Sequence, residues 1–180
     1  MIKSPLILAA VVSLISISAQ ASDGTINFTG KIQDVTCTVT ANGGAAIATV
    51  TLPTISKTAL SGINSTAGDT NFNILVTGCT GAAVTGGGVS VLFEPGMNVN
   101  AAGRLNNTGA ATGVDLAIYR ANAITPLNLG TVPSSAYLPL TGASPDGTAT
   151  LSYTVKYYAT SATPGPGTVT SSVVYSIVYF

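Results

Sequence analysis

At 180 residues the chain is sized for one domain, and six Lys and Arg against six Asp and Glu leave no formal net charge. Charged residues are only 7% of the chain, well under the roughly 25% of an average soluble protein. That excludes a basic footprint for nucleic acid or for an anionic membrane.

The chain opens with a segment that reads as a secretory leader. Lys3 supplies a positive flank, Leu6 to Ile17 is mostly apolar, and Ala19-Gln20-Ala21 has the small-x-small form that signal peptidase accepts. The apolar run is about a dozen residues, short of the roughly 20 a spanning helix needs. Residues 1–21 are therefore expected to be removed, leaving a mature chain from Ser22. An exported chain meets an oxidising compartment. Its two cysteines, Cys37 and Cys79, allow a single pairing, and a bridge is expected. Two free buried thiols are the alternative. A bridge closing a loop of this size stabilises by roughly 4 kcal/mol on the loop-entropy model.

After the leader the apolar period is two. Thr25 to Ile32 alternates, with Gly30 taking one apolar place. Ile47 to Leu52 alternates and stops at Pro53. Phe72 to Val76 leads toward Cys79, and Val89 to Phe93 ends at the turn Glu94-Pro95-Gly96. Val114 to Tyr119 and Leu151 to Tyr157 follow, and the run from Thr168 to Phe180 is the longest. These segments are rich in Val, Ile, Thr and Tyr and are punctuated by Gly, Pro, Asn and Ser. No stretch holds a 3.6-residue apolar period, so helix is limited to single turns near Thr58–Leu60 or Ala121–Ala123. Seven to nine short strands without helical crossovers predict an all-β antiparallel sandwich in one domain.

The chemistry of catalysis is sparse. The chain has no histidine, so Ser-His-Asp and Cys-His arrangements and histidine-based metal sites are excluded. Glu94 is the one glutamate, in a turn, and Asp23, Asp34, Asp69, Asp115 and Asp146 are scattered. No catalytic residue, metal or cofactor is expected, and the chain does not read as an enzyme.

The two ends carry more. Ile26, Phe28, Gly30 and Ile32 share one face of a strand lying ahead of the first cysteine. It either opens the chain's own sandwich or serves a neighbour by β-strand addition. At the other end, Val169, Val173, Tyr175, Ile177 and Tyr179 share a face, and the chain stops at Phe180 with no polar tail, where most domains fray.

Several motifs together carry a resemblance. Gly30-Lys31-Ile32 stands seven positions before Cys37, and Phe72-Asn73-Ile74 leads into Gly78-Cys79. Asn107-Thr108-Gly109 precedes Gly113-Val114, and Tyr157-Tyr158-Ala159-Thr160 follows. Gly167 is fourteenth from the end, and the penultimate residue is Tyr179. In these the chain resembles subunits of the chaperone–usher pilus family, the type 1 and P-pilus-like fimbriae, and is most similar to shaft-forming subunits.

The resemblance implies an immunoglobulin-like sandwich lacking its seventh strand. Residues 22–35 would form a donor strand and residues 36–180 the pilin domain. Ile26, Phe28 and Ile32 would fill pockets of a neighbouring subunit, with Gly30 where only a residue without a side chain fits. Gly167, Val173, Tyr175, Ile177, Tyr179 and Phe180 would form the acceptor groove and the strand to which a periplasmic chaperone pairs. An outer-membrane usher would then exchange the chaperone for the next subunit's donor strand, placing the protein in a fimbrium on the cell surface. Burying Ile26, Phe28 and Ile32 would contribute about 5–9 kcal/mol, comparable to the 5–15 kcal/mol stability of a whole domain. The alternatives are a minor adaptor subunit, or a small adhesin or carbohydrate-binding sandwich that folds unaided.

Overall fold

The computed structural model describes residues 25–32, 34–81, 87–131, 137–142, 144 and 146–180. The leader, residues 22–24 of the expected donor strand and residue 33 lie outside the described residues. The chain divides into two units, Met1–Lys31 and Ile32–Phe180. In the first, residues 25–31 form neither helix nor strand.

The second unit is all-β. Its strands are β1 (Val35–Ala41), β2 (Thr66–Gly81), β3 (Gly88–Phe93), β4 (Leu105–Asn106), β5 (Val114–Arg120), β6 (Leu138–Pro139), β7 (Gly147–Ala159) and β8 (Tyr175–Tyr179). A single 3-10 turn spans Lys57–Ala59, where a one-turn helix was expected. Every strand pairing is antiparallel. The strands form a five-stranded sheet ordered β1-β2-β7-β5-β4 and a three-stranded sheet ordered β6-β3-β8.

Alternation builds the core. On β7, Ala149, Leu151, Tyr153 and Val155 are buried, while Thr150, Ser152, Thr154 and Lys156 take the other face. Ile74 and Val76 of β2, Val89, Val91 and Phe93 of β3, and Leu116 and Ile118 of β5 belong to the same core cluster. Phe93 meets Tyr153 edge-on, with ring centroids 5.2 Å apart, a favoured aromatic geometry. Cys37 and Cys79 form the expected disulfide, joining β1 to its neighbour β2.

β2 runs for 16 residues and stays paired to β7 only by breaking register at two places, between Ala67 and Thr70 and between Val76 and Cys79. Glycine sits at both, Gly68 at φ +72° and Gly78 at φ +59°. At Gly68 an added Cβ would lie 2.6 Å from Cδ2 of Tyr157. The bulge therefore needs glycine for conformation and for space.

Three local expectations are corrected. The longest strand is β2, not the final run. Within that run only Tyr175–Tyr179 forms a regular strand. Ile47–Leu52 forms no strand, and Ile47 is 92% exposed. β1 takes the pairing beside β2, so its alternating Val35, Cys37, Val39 and Ala41 supply the first strand. Ala121–Ala123 is a hydrogen-bonded turn closed by the Ala123 amide on the Arg120 carbonyl.

Candidate functional site: an open edge at the C-terminal strand

The C-terminal segment is held on one side only. β8 pairs with β3 in the register Val89 to Tyr179 through Phe93 to Tyr175. Gly88 and Phe180 exchange both backbone bonds, at 2.9 and 3.1 Å. In an antiparallel ladder such exchanging pairs alternate, so even-numbered residues turn their backbone groups toward β3. The pattern continues below the strand. The Val174 carbonyl accepts from Glu94, that of Thr170 from Thr108, and that of Thr168 from Ala111. The Ser172 carbonyl accepts from the Asn98 side chain at 3.1 Å.

Odd-numbered residues face the other way. Val169, Ser171, Val173, Tyr175, Ile177 and Tyr179 have no backbone partner on that side among the described residues. Their side chains are half-buried, and all but Ser171 pack against the main core. Burial pushes the Tyr175 and Tyr179 phenols above their ordinary pKa. Gly167 and Phe180 bracket this edge, and the Phe180 ring lies against that of Tyr137.

Residues quoted from the sequence for their resemblance anchor the start of the segment. The Asn107 side-chain oxygen accepts from the amides of Gly109 at 2.8 Å and Thr170 at 2.9 Å, and its NH₂ donates to the Ala111 carbonyl at 2.8 Å. Gly109 must be glycine, because a Cβ there would come within 2.3 Å of the Thr168 carbonyl oxygen. Gly167, at φ +153°, would put a Cβ 2.4 Å from the Ala111 nitrogen. The turn that starts the open edge is thus built by glycine and one amide side chain.

A second segment without a sheet partner touches this one through Tyr175. Residues 48–56 are neither helix nor strand, yet Val50 and Leu52 pack against the main core. Among the described residues no backbone–backbone hydrogen bond involves residues 46–55. Two tyrosines tie the segment down instead. The Tyr175 hydroxyl donates to the Ala46 carbonyl at 2.8 Å, and that of Tyr157 to the Pro53 carbonyl at 3.1 Å. Both segments therefore combine apolar contacts to the core with backbone groups left unpaired among the described residues. Val50, Leu52 and Ser171 were not singled out by sequence. The alternation of Ile47–Leu52 was a signal for the first two.

The apolar face read from the N-terminal segment is solvent-facing. Ile26 is 78% exposed, Phe28 90% and Ile32 100%. An added Cβ on Gly30 would meet nothing within 4 Å, so the space limit expected there does not arise within the chain. Elsewhere, a cavity of about 310 Å³ is lined chiefly by Asn42, Asn71, Asn73, Asn122, Ser152 and Thr154. No group of three metal-capable side chains occurs among the described residues.

The chain is similar to known proteins over most of its length. Residues 52–180 match the family model of the type-1 fimbrial protein, A. The chain is 41% identical over 171 residues to the major fimbrial subunit SMF-1 of Stenotrophomonas maltophilia, covering 91% of this chain and 96% of that protein. It is 37% identical over 181 residues to the F17 fimbrial protein of Escherichia coli, with 98% of each covered. Among solved structures, the P pilus rod subunit PapA aligns with a TM-score of 0.58 at 17% identity, over 80% of this chain and 99% of that one.

Proposed function

The chain belongs to the type-1 fimbrial protein family, whose members are structural pilus subunits, and we propose that it joins its neighbours by lending them a strand. Its place is the fimbrium at the cell surface, in contact with copies of itself and neighbouring subunits. The observation that supports strand exchange is the unpaired edge of Val169–Tyr179, together with the unpaired backbone of residues 46–55 that the Tyr175 hydroxyl ties to it.

In this reading residues 1–21 are a cleaved leader, 22–35 the donor extension and 36–180 the pilin domain. Ile26, Phe28 and Ile32 enter the groove of the next subunit, with Gly30 between them. Filling it satisfies two rows of backbone groups and covers the half-buried face of Val173, Tyr175, Ile177 and Tyr179. The contact is head-to-tail, so it propagates an open fibre and not a closed ring. A subunit with this edge bare is an aggregation hazard. Export therefore calls for a periplasmic chaperone that pairs with Tyr175–Phe180 and an outer-membrane usher that exchanges it.

A synthetic peptide spanning Thr25–Val35 tests the reading. Added to the oxidised chain during assembly, it should cap grooves, shorten the polymers in proportion to its concentration and raise the melting temperature of each capped subunit. Polymer length and melting that ignore the peptide would overturn the proposal, and a screen for glycan binding at the asparagine-lined cavity would come next.

A further inference from the structure

We propose that the asparagine-lined cavity is a binding site for a neutral sugar ring, presented once by every subunit. The inference is independent of strand exchange, because none of the cavity's lining residues belongs to the C-terminal segment.

Four chain segments are fastened in a row to make the site. Asn71 and Asn73 alternate along β2 on the face opposite Phe72 and Ile74, which pack in the core. Across the ladder Thr154 pairs with Asn71 and Ser152 with Asn73, so these four side chains share the outer face. The chain beyond β1 is fixed to this floor by the Asn42 amide, which donates to the Asn73 carbonyl at 2.7 Å. The chain beyond β5 is fixed by the Ala121 amide, which donates to the Ser152 carbonyl at 3.0 Å. Each then turns at an asparagine with left-handed backbone, Asn42 at φ +49° and Asn122 at φ +64°. Both turns are closed by a backbone bond at 3.0 Å, from Gly44 to Ala41 and from Ala123 to Arg120.

The lining offers unspent hydrogen-bonding capacity without charge. Elsewhere asparagine side chains build the fold. Asn64, the third with left-handed backbone, accepts from the Tyr158 hydroxyl at 2.9 Å, Asn98 donates to the Ser172 carbonyl, and Asn107 accepts from the Thr170 amide. The side chains of Asn42, Asn73, Asn122 and Ser152 make no such bond among the described residues. Asn71 spends its carbonyl on the Thr154 hydroxyl at 2.7 Å and keeps its NH₂. All four asparagines of the cavity are exposed, so a ligand reaches them without any opening of the fold. No lining residue is charged, and further along the two strands Asp69 and Lys156 pair with each other. That leaves nothing to hold an ion. An amide sets donors beside an acceptor, and a hydroxyl both donates and accepts, so neighbouring ring hydroxyls match this array. A volume of about 310 Å³ is at the small end of ligand sites and suits one ring. Polar walls bury little apolar area, so a single site binds weakly, in the millimolar range. Repetition along a fibre turns weak sites into avidity.

The test is an NMR titration of the isotope-labelled full chain, kept monomeric by Phe28→Asp, with the methyl glycosides of glucose, galactose, mannose and N-acetylglucosamine. At least one should give saturable shifts at the side-chain NH₂ groups of Asn42, Asn71, Asn73 and Asn122, while the amides of β8 stay unmoved. Asn42→Gly combined with Asn122→Gly removes two amides and supplies the residue that best tolerates a left-handed backbone. That chain should melt as before and bind the same sugar about tenfold more weakly, as two lost hydrogen bonds allow. Asn73→Ala, on the strand itself, should weaken binding about fivefold. The absence of a saturable shift with all four sugars overturns the proposal. So does binding that the double glycine variant and Asn73→Ala both retain in full. Neither result touches the joining of subunits.

Discussion

β7 and the segment from Val169 to Tyr179 are built from the same kind of sequence and differ in their neighbours. Both place apolar or aromatic residues at most of their alternate, core-facing positions. β7 lies between β2 and β5, and Ala149, Leu151, Tyr153 and Val155 are no more than 6% exposed. The C-terminal segment has a partner on one side, and its corresponding residues remain half-buried. Alternation specifies a strand. How far that strand contributes to its own fold depends on whether both lanes beside it are filled. In this chain the filled lanes carry stability, and the empty one is where the proposed strand exchange would join subunits.

The largest effects should fall on the closed sheet. Leu151→Ala deletes core volume between two paired strands and should cost the isolated chain about 2–5 kcal/mol, measured by denaturant unfolding. Reducing Cys37–Cys79, which binds β1 to β2, should cost roughly 4 kcal/mol. Ile177→Ala sharpens the contrast. It should lower the stability of the free chain by only about 1 kcal/mol but weaken assembled fibres by an amount closer to Leu151→Ala. Equal costs in the free chain for Leu151→Ala and Ile177→Ala would break the comparison.

Phe28→Ala should be silent in the free chain, because the ring is 90% exposed there, and should cost about 3 kcal/mol at each subunit contact when fibres are dissociated in denaturant. The largest pH effect belongs to the closed side. Burial raises the Tyr153 phenol to about 12, while the unfolded chain titrates near 10. A raised acid is neutral when folded, so this contribution is complete below about pH 10 and is lost as the pH climbs to about 12. Tyr153→Phe should flatten that alkaline loss of stability. The smallest effect expected is Tyr175→Phe, which removes the bond to the Ala46 carbonyl and should cost about 1 kcal/mol in the free chain.

The sandwich was legible in the sequence because β3, β5 and β7 alternate between clear turn signals. The open edge of β8 has no signature in the alternation, which does not say whether the adjacent lane is occupied. Ile47–Leu52 shows why. It has the pattern of a strand, and Val50 and Leu52 do face the core, but no strand of the described chain pairs with it. β1 went unread because its Thr-rich alternation is weakly apolar, and the bridge through Cys37 needs the fold to show which strand it joins. Ser171 gave no signal at all. A serine in a Thr- and Ser-rich tail reads as a surface residue until its hydroxyl is found buried.

Backbone amide exchange along residues 169–179 tests the account most directly. The full chain would be kept monomeric by Phe28→Asp and followed residue by residue, with and without the Thr25–Val35 peptide. The account predicts that the odd-numbered amides, from Val169 to Tyr179, exchange fast in the free chain and become protected when the peptide binds. Amides bonded to the β3 side, such as those of Thr170 and Phe180, should stay protected throughout. Odd-numbered amides that are already protected without peptide, and unchanged by it, would contradict an open edge and with it the joining of subunits by a lent strand.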